Sequence, residues 1–340
     1  MKDGILTTIG NTPLVELSRL VAERNIRLFA KLEGFNPGGS IKDRTAYNIL
    51  HHALQSGTIA PGTTIIESSS GNMGIGLAQV CAFLKLPFIC VVDPKTTAQN
   101  VAILKAYHAM VDMVMEPDPA TGEFLQARIN RVQELLATIP NSWCPNQYAN
   151  LFNPQAHHQT MQEILSELDN QLDYLFCAVS TFGTLRGCAE YLREQGVPAQ
   201  VVAVDAVGSV IFGQAPQKRL IPGHGAARRP ALFQPDIAAE CIHVTDLDCV
   251  VGCHQLLLHE AILAGGSSGA VIAAFQQKLA TIPDGATCVL ILADRGERYL
   301  DTIYSEEWVS EHFGDVSHLW QSPESTCTPD TSALVEPFRH

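Results

Sequence analysis

Residues 64–92 read TIIESSSGNMGIGLAQVCAFLKLPFICVV, and the order of their patterns decides the fold class. An apolar run (64–67) leads into a loop of Ser and Gly. Residues 74–84 then space apolar side chains as a helix does, and a second apolar run follows at 87–92. Strand, helix, strand in that order makes a parallel pair joined by a crossover. The alternation continues on both sides. Buried strands are predicted at 111–115, 172–179, 201–205 and 288–293, and helices at 98–107, 125–139, 154–168 and 271–281. The chain is expected to be α/β, and its 340 residues suggest two domains. Pro, Asn and Trp interrupt the periodicity at 141–153. That break sets an N-terminal α/β domain at 1–145 and a C-terminal one at 146–312, followed by a Ser/Thr/Pro-rich tail at 313–340 read as mobile.

Composition removes several functions. With 46% hydrophobic residues the chain can bury a sizeable core, and a net charge of −13 argues against nucleic-acid or anionic-membrane partners. The opening MKDGILTTIGNTPL carries no apolar signal core, and no apolar run reaches the ~20 residues of a membrane span. The ten cysteines, among them Cys90 and Cys177, sit mostly in apolar segments without CxxC spacing. They read as reduced core residues of a cytoplasmic protein. The adjacent pairs His51-His52 and His157-His158 point in different directions on a helix and are poor metal ligands.

Three small-residue loops stand where strands give way to helices, the ligand-binding position of such sheets. Ser68-Ser69-Ser70-Gly71-Asn72-Met73 presents hydroxyls and backbone N–H groups suited to a carboxylate. Ser180-Thr181-Phe182-Gly183-Thr184 suits a phosphate at a helix N-terminus. Gly265-Gly266-Ser267-Ser268-Gly269 precedes a helix expected from Ala270. The fourth motif, residues 36–44 (NPGGSIKDR), sets Lys42 near a helix start, where the dipole disfavours its charge. A depressed lysine pKa is what Schiff-base chemistry needs.

NPGGSIKDR, then SSSGNMG, then STFGT, in that order, resemble the fold type II (β-family) pyridoxal-phosphate enzymes, which include cysteine synthase and cystathionine β-synthase. The match runs from about Thr8 to Asp301. It implies two three-layer α/β domains with a cofactor cleft between them, residues 12–34 packing with the other domain, and a homodimer. It implies a Schiff base of pyridoxal 5'-phosphate on Lys42, Asn72 beside the ring hydroxyl, and the phosphate on Ser180, Thr181, Phe182, Gly183 and Thr184. The substrate carboxylate would lie on Ser69, Ser70, Gly71, Asn72 and Met73, with Gln147 reaching in. Cysteine synthases carry a serine near the last strand that contacts the pyridine nitrogen. Here that segment is Ala293-Asp294-Arg295-Gly296, so the contact is assigned to Ser267.

A finer resemblance, through residues 91–95, 132–139, 146–150, 202–213, 223–230 and 294–301, is to the N-(2-amino-2-carboxyethyl)-L-glutamate synthase branch, which makes precursors of 2,3-diaminopropionate for staphyloferrin B-type siderophores. That branch implies O-phospho-L-serine and L-glutamate as substrates and a pathway dehydrogenase acting on the product. Arg128 either faces the cleft or pairs with a nearby acid on its helix; Tyr148 can offer a hydroxyl to the leaving phosphate or the incoming glutamate. Arg228 and Arg229 are further candidates for glutamate carboxylates. Cysteine synthesis, serine or threonine dehydration and a catalytically silent sensor are the competing readings, and retention of Lys42 and Asn72 argues against the last.

Overall fold

Strands that are apolar on both faces require helices on both sides, and the chain supplies them in alternation. The structure is a computed structural model that describes residues 4–120 and 122–320. In chain order the elements are β1 (Leu14–Glu16), β2 (Arg27–Leu32), α1 (Lys42–Gln55), β3 (Thr64–Ser68), α2 (Asn72–Leu84), β4 (Phe88–Val92), α3 (Ala98–Ala106), β5 (Met110–Met113), α4 (Phe124–Thr138) and β6 (Ser142–Trp143). They continue with α5 (Phe152–Glu167), β7 (Tyr174–Ala178), α6 (Gly183–Glu194), β8 (Gln200–Ala206), β9 (Glu240–Val244), α7 (Asp246–Glu260), α8 (Gly266–Lys278), β10 (Thr287–Leu292) and α9 (Glu306–Phe313).

The strands form a six-stranded sheet, β1-β2-β10-β7-β8-β9, and a four-stranded sheet, β5-β4-β3-β6. Every pairing is parallel except β1 with β2. Alternation along β7 shows how each sheet is covered. Tyr174 and Phe176 face a core shared with α7 and α8, while Leu175 and Cys177 face α5 and α6. The smaller sheet buries one face under α1 and α2 and the other under α4. Both sheets are thus three-layered.

One feature adds strands to a segment that the sequence reading set against the other domain, and one departs from that reading. Residues 14–32 contribute strands to the larger sheet, β2 pairing with β10 from Arg27↔Thr287 to Leu32↔Leu292. Helix α8 starts at Gly266 rather than Ala270, so Ser267 and Ser268 lie in its first turn. The glycines there serve packing: a Cβ on Gly269 would stand 2.1 Å from the Cys249 carbonyl oxygen of α7. The stretch assigned to a tail begins packed, Trp320 stacking on His254 with ring centroids 4.2 Å apart; residues 321–340 lie outside the described residues. No helix among the described residues is long and apolar enough to cross a membrane.

A buried ion cluster ties the lysine-bearing helix to the larger sheet. Arg44 of α1 grips Glu33 through Nε (2.7 Å) and Nη2 (2.8 Å), and Glu163 of α5 through Nη1 (2.8 Å) and Nη2 (2.7 Å). Lys31 of β2 completes it at 2.9 Å from Glu163 Oε2.

Candidate active site

Gly39, at φ +86°, lets residues 36–40 turn sharply from the end of β2 into α1, and α1 begins on Lys42. The lysine side chain enters two adjoining cavities between the sheets. Burial lowers its pKa, while the nearby carboxyl of Asp294 acts in the opposite sense. The net effect favours the neutral amine that carbonyl chemistry requires.

The first cavity is walled by Lys42, Cys177, Ser180, Thr181, Phe182, Gly183, Thr184, Gly223 and Ser267. Its floor is the N-terminus of α6, where Phe182 takes a left-handed φ of +72°. Free N–H groups and hydroxyls converge there on the positive end of a helix dipole. Asn153 braces the loop: its Nδ2 donates to Thr181 Oγ1 (3.1 Å) and to the Gln147 carbonyl (2.7 Å). His157, buried and held well below its usual pKa by burial and by Lys42 and Arg44, lies 3.3 Å from Thr184 Oγ1 and 3.2 Å from Thr45 Oγ1. A Cβ on Gly183 would come within 2.0 Å of Asn153 Oδ1. Gly183→Ala is therefore expected to weaken cofactor binding by about tenfold to a hundredfold, the cost of overpacking a tight site, with the fold retained. Fluorescence titration of the apo-protein measures this, and an unchanged affinity would show that the brace does not shape the loop.

The second cavity, about 150 Å³, is lined by Ser68, Ser69, Ser70, Gly71, Asn72 and Met73 on one side and by Leu125, Arg128, Gln147 and Tyr148 on the other. The Ser69 hydroxyl accepts from Gly74 N at 2.9 Å, which leaves its proton to donate. Ser68 Oγ is buried with no hydrogen-bond partner among the described residues. Glu67 fixes the far wall by accepting from Gln147 N at 3.3 Å, and burial raises its carboxyl to about 7 against the pull of backbone hydrogen bonds from Gln147, Ser68 and Asn146. Tyr148 lines the second cavity, and Ser180 lines both.

Apart from Arg228 and Arg229, each residue named from the sequence as a cofactor or substrate contact lines one cavity or both. Arg128 lines the second cavity with Nε 3.1 Å from Asp93 Oδ2, an acid that follows β4 and does not belong to the arginine's own helix. Arg228 and Arg229 are a correction. Neither lines either of these two cavities; Arg229 donates to the Ile211 carbonyl (2.9 Å) and covers the Phe233 ring at 4.8 Å. The proximity of GHGAARRP to a glycine turn did not determine where those side chains point. Ser267 lines both cavities, whereas Asp294 lines neither and stands behind Asn72, donated to by Asn72 Nδ2 at 2.7 Å. Sequence reasoning missed Asn153, His157, Glu67, Arg298 and Tyr299. Polar residues at the ends of buried strands were the available signal for Glu67 and for the 294–299 segment.

A phosphorylated aromatic aldehyde fits this arrangement. The α6 loop offers donors for phosphate, Lys42 reaches both cavities, and the unpartnered Ser68 hydroxyl marks room for a second, polar molecule. Among the described residues no His, Cys, Asp and Glu cluster could hold a metal ion.

Residues 5–294 match the family described as "Pyridoxal-phosphate dependent enzyme". Among solved structures, the chain is similar to an O-acetylserine dependent cystathionine beta-synthase from Helicobacter pylori, with 30% identity and a TM-score of 0.83 over 90% of this chain and 99% of the other. A cysteine synthase from Entamoeba histolytica is 33% identical with a TM-score of 0.83, covering 89% and 91%. An O-ureido-L-serine synthase is 28% identical with a TM-score of 0.82, covering 94% and 98%. Because the family match takes in both sheets and both cavities, the chain belongs to the pyridoxal-phosphate dependent enzymes, in the group related to cysteine synthase and cystathionine β-synthase.

Proposed function

We propose that the chain joins O-phospho-L-serine and L-glutamate into N-(2-amino-2-carboxyethyl)-L-glutamate with release of phosphate, a precursor of L-2,3-diaminopropionate, and that a dehydrogenase consumes the product. The observation that carries the choice of leaving group is Arg128. Among the described residues lining the second cavity, a cavity that the serine loop also lines, it is the cation besides Lys42. Guanidinium–phosphate contacts are charge-assisted and commonly bidentate.

Bound pyridoxal phosphate supplies an electron sink that acidifies the Cα–H of an amino acid joined to it. The remaining work falls to the chain. Loop 180–184 anchors the phosphate of the cofactor, and Ser69 to Met73 with the α2 N-terminus hold the substrate carboxylate. The neutral Lys42 amine takes the Cα proton. The Cβ–O bond breaks and phosphate departs with the electron pair, paired to Arg128. The glutamate amine then forms the Cβ–N bond, the proton it loses ends on the released phosphate, and Lys42 returns its proton to Cα. Water must stay out of the cleft during this interval, since hydrolysis would divert the substrate to pyruvate and ammonia.

Mass spectrometry of products from phosphoserine with glutamate, with sulfide or with no nucleophile tests the assignment. The expected product is the glutamate adduct. The similarity to cysteine synthase favours a second reading, and cysteine formed faster than the adduct at equal nucleophile concentration would establish it. Arg128→Gln should lower kcat/KM for phosphoserine by about tenfold to a hundredfold, the worth of a charged hydrogen bond, and should change that for O-acetylserine by less than about threefold. Equal losses for both esters would remove Arg128 from the leaving-group site.

A further inference from the structure

Beyond the end of β10, the chain carries Asp294, Arg298 and Tyr299 behind Asn72. Asn72 Nδ2 donates to Asp294 Oδ2 at 2.7 Å, and the Tyr299 hydroxyl donates to the same oxygen at 2.6 Å. Arg298 donates from Nη1 to Asn72 Oδ1 and from Nη2 to the Gly38 carbonyl. Asp294 is 4% exposed. Burial raises its pKa, and hydrogen bonds from Tyr299 and Asn72 with the charges of Arg298 and Lys42 work against that rise. The backbone is shaped to admit the group, since a Cβ on Gly265 would lie 2.1 Å from Asp294 Oδ1 and 2.6 Å from the Tyr299 ring.

An amide held by a carboxyl oxygen at its nitrogen and by a cation at its oxygen has one stable orientation. Turned over, it would set oxygen against Asp294 and NH₂ against the guanidinium, losing two charge-assisted bonds. In the orientation observed, one N–H of Nδ2 is not used by Asp294, and Asn72 lines the second cavity together with Lys42. We propose that Asp294, Arg298 and Tyr299 are positioning residues that lock the Asn72 amide so that its remaining N–H serves the cofactor's ring oxygen, favouring that oxygen as an anion. The inference rests on the family-derived placement of Asn72 beside the ring oxygen, and adds the residues that decide which amide atom the oxygen meets. A donor stabilises the anion and not the hydroxyl, so it lowers the pKa of the ring hydroxyl. The guanidinium of Arg298, on the far side of the amide, acts in the same sense.

The test reads the absorption of bound cofactor in the holoenzyme at one fixed pH. With the ring oxygen anionic and the proton on the nitrogen joined to Lys42 the cofactor absorbs in the visible; with the proton on the ring oxygen it absorbs in the near ultraviolet. Asp294→Ala frees the amide, and the ratio of near-ultraviolet to visible absorption should rise by about tenfold, the worth of a charge-assisted hydrogen bond. Asp294→Asn keeps an acceptor at the place of Oδ2 and should restore most of the visible band. Tyr299→Phe removes one hydroxyl and should move the ratio in the same direction by less, which keeps the test available where the alanine variant folds poorly by circular dichroism. Ratios of Asp294→Ala and Tyr299→Phe equal to the wild type, or an asparagine variant that behaves like alanine, would overturn the proposal; the latter would mean that carboxylate charge, not amide orientation, is responsible. Asn72→Ala separates the levels. If it leaves the ratio unmoved, the placement of Asn72 falls and the proposal with it. If it moves the ratio while the Asp294 and Tyr299 variants do not, the positioning role alone falls.

Discussion

Lys42→Ala is expected to lower turnover by about 10³- to 10⁴-fold, the range for losing a positioned general base, and to abolish attachment of cofactor to the peptide containing residue 42 after borohydride reduction. The lysine stands where three influences meet: the start of α1, the wall of both cavities, and a burial that holds its pKa below the ordinary lysine range. A lysine amine in its neutral form, which this burial favours, both attacks a carbonyl and removes a proton, which a guanidinium cannot do. Lys42→Arg should therefore be as inactive as the alanine variant despite its similar length. Turnover and peptide mass spectrometry on the same preparations decide the matter. An alanine variant within about tenfold of the wild type would require another base.

Arg44→Met should cost about 3–5 kcal/mol at pH 8, the range for removing one partner of a buried ion pair. Glu33 is fully buried and Glu163 nearly so, and each accepts two hydrogen bonds from this guanidinium. For Glu163, burial alone would raise the pKa; the hydrogen bonds and charge of Arg44, with help from Asn11 N and Lys31, outweigh it and hold the carboxyl at about 2. A carboxyl depressed in the folded state adds stability that is present above its unfolded pKa and is lost as pH falls through about 2. Without Arg44 that contribution disappears, and the stranded carboxylates gain from protonation instead. The deficit measured by urea unfolding should accordingly be largest at pH 8 and shrink toward pH 5. A deficit independent of pH would locate the loss in packing rather than charge.

The strands and helices around the central loops were readable because their signals are local. Residues 64–92 carry strand, loop and helix in consecutive residues, and β3, α2 and β4 follow that order. The 180–184 loop was readable for the same reason: it directly follows an apolar run that becomes β7. β2 was not assigned because its pairing partner is β10, some 260 residues later, and because Lys31 in its middle reads as an exposed position. Lys31 is in fact buried, neutralised by Glu163 from α5 and hydrogen-bonded to the Thr12 carbonyl at 2.6 Å. The misplaced start of α8 has a comparable origin. Gly and Ser there read as a loop, but they are small so that α7 can approach.

The sequence by itself determined the α/β class, picked out Lys42 and the small-residue loops at 68–73 and 180–184, and through their order pointed to the family. These are properties of short segments, in which neighbouring residues set the backbone and the dipole acts over one helical turn. Only the tertiary structure decided which charged side chains serve the site. Arg128 lines the second cavity while paired to Asp93, whereas Arg228 and Arg229 do not line it. Only folding brings Asp294, Arg298 and Tyr299 against Asn72, more than two hundred residues away in the chain. Direction and burial of a polar side chain depend on what packs against it, and here those neighbours come from β2, α2, α5 and β10, which meet only when the two sheets are in place.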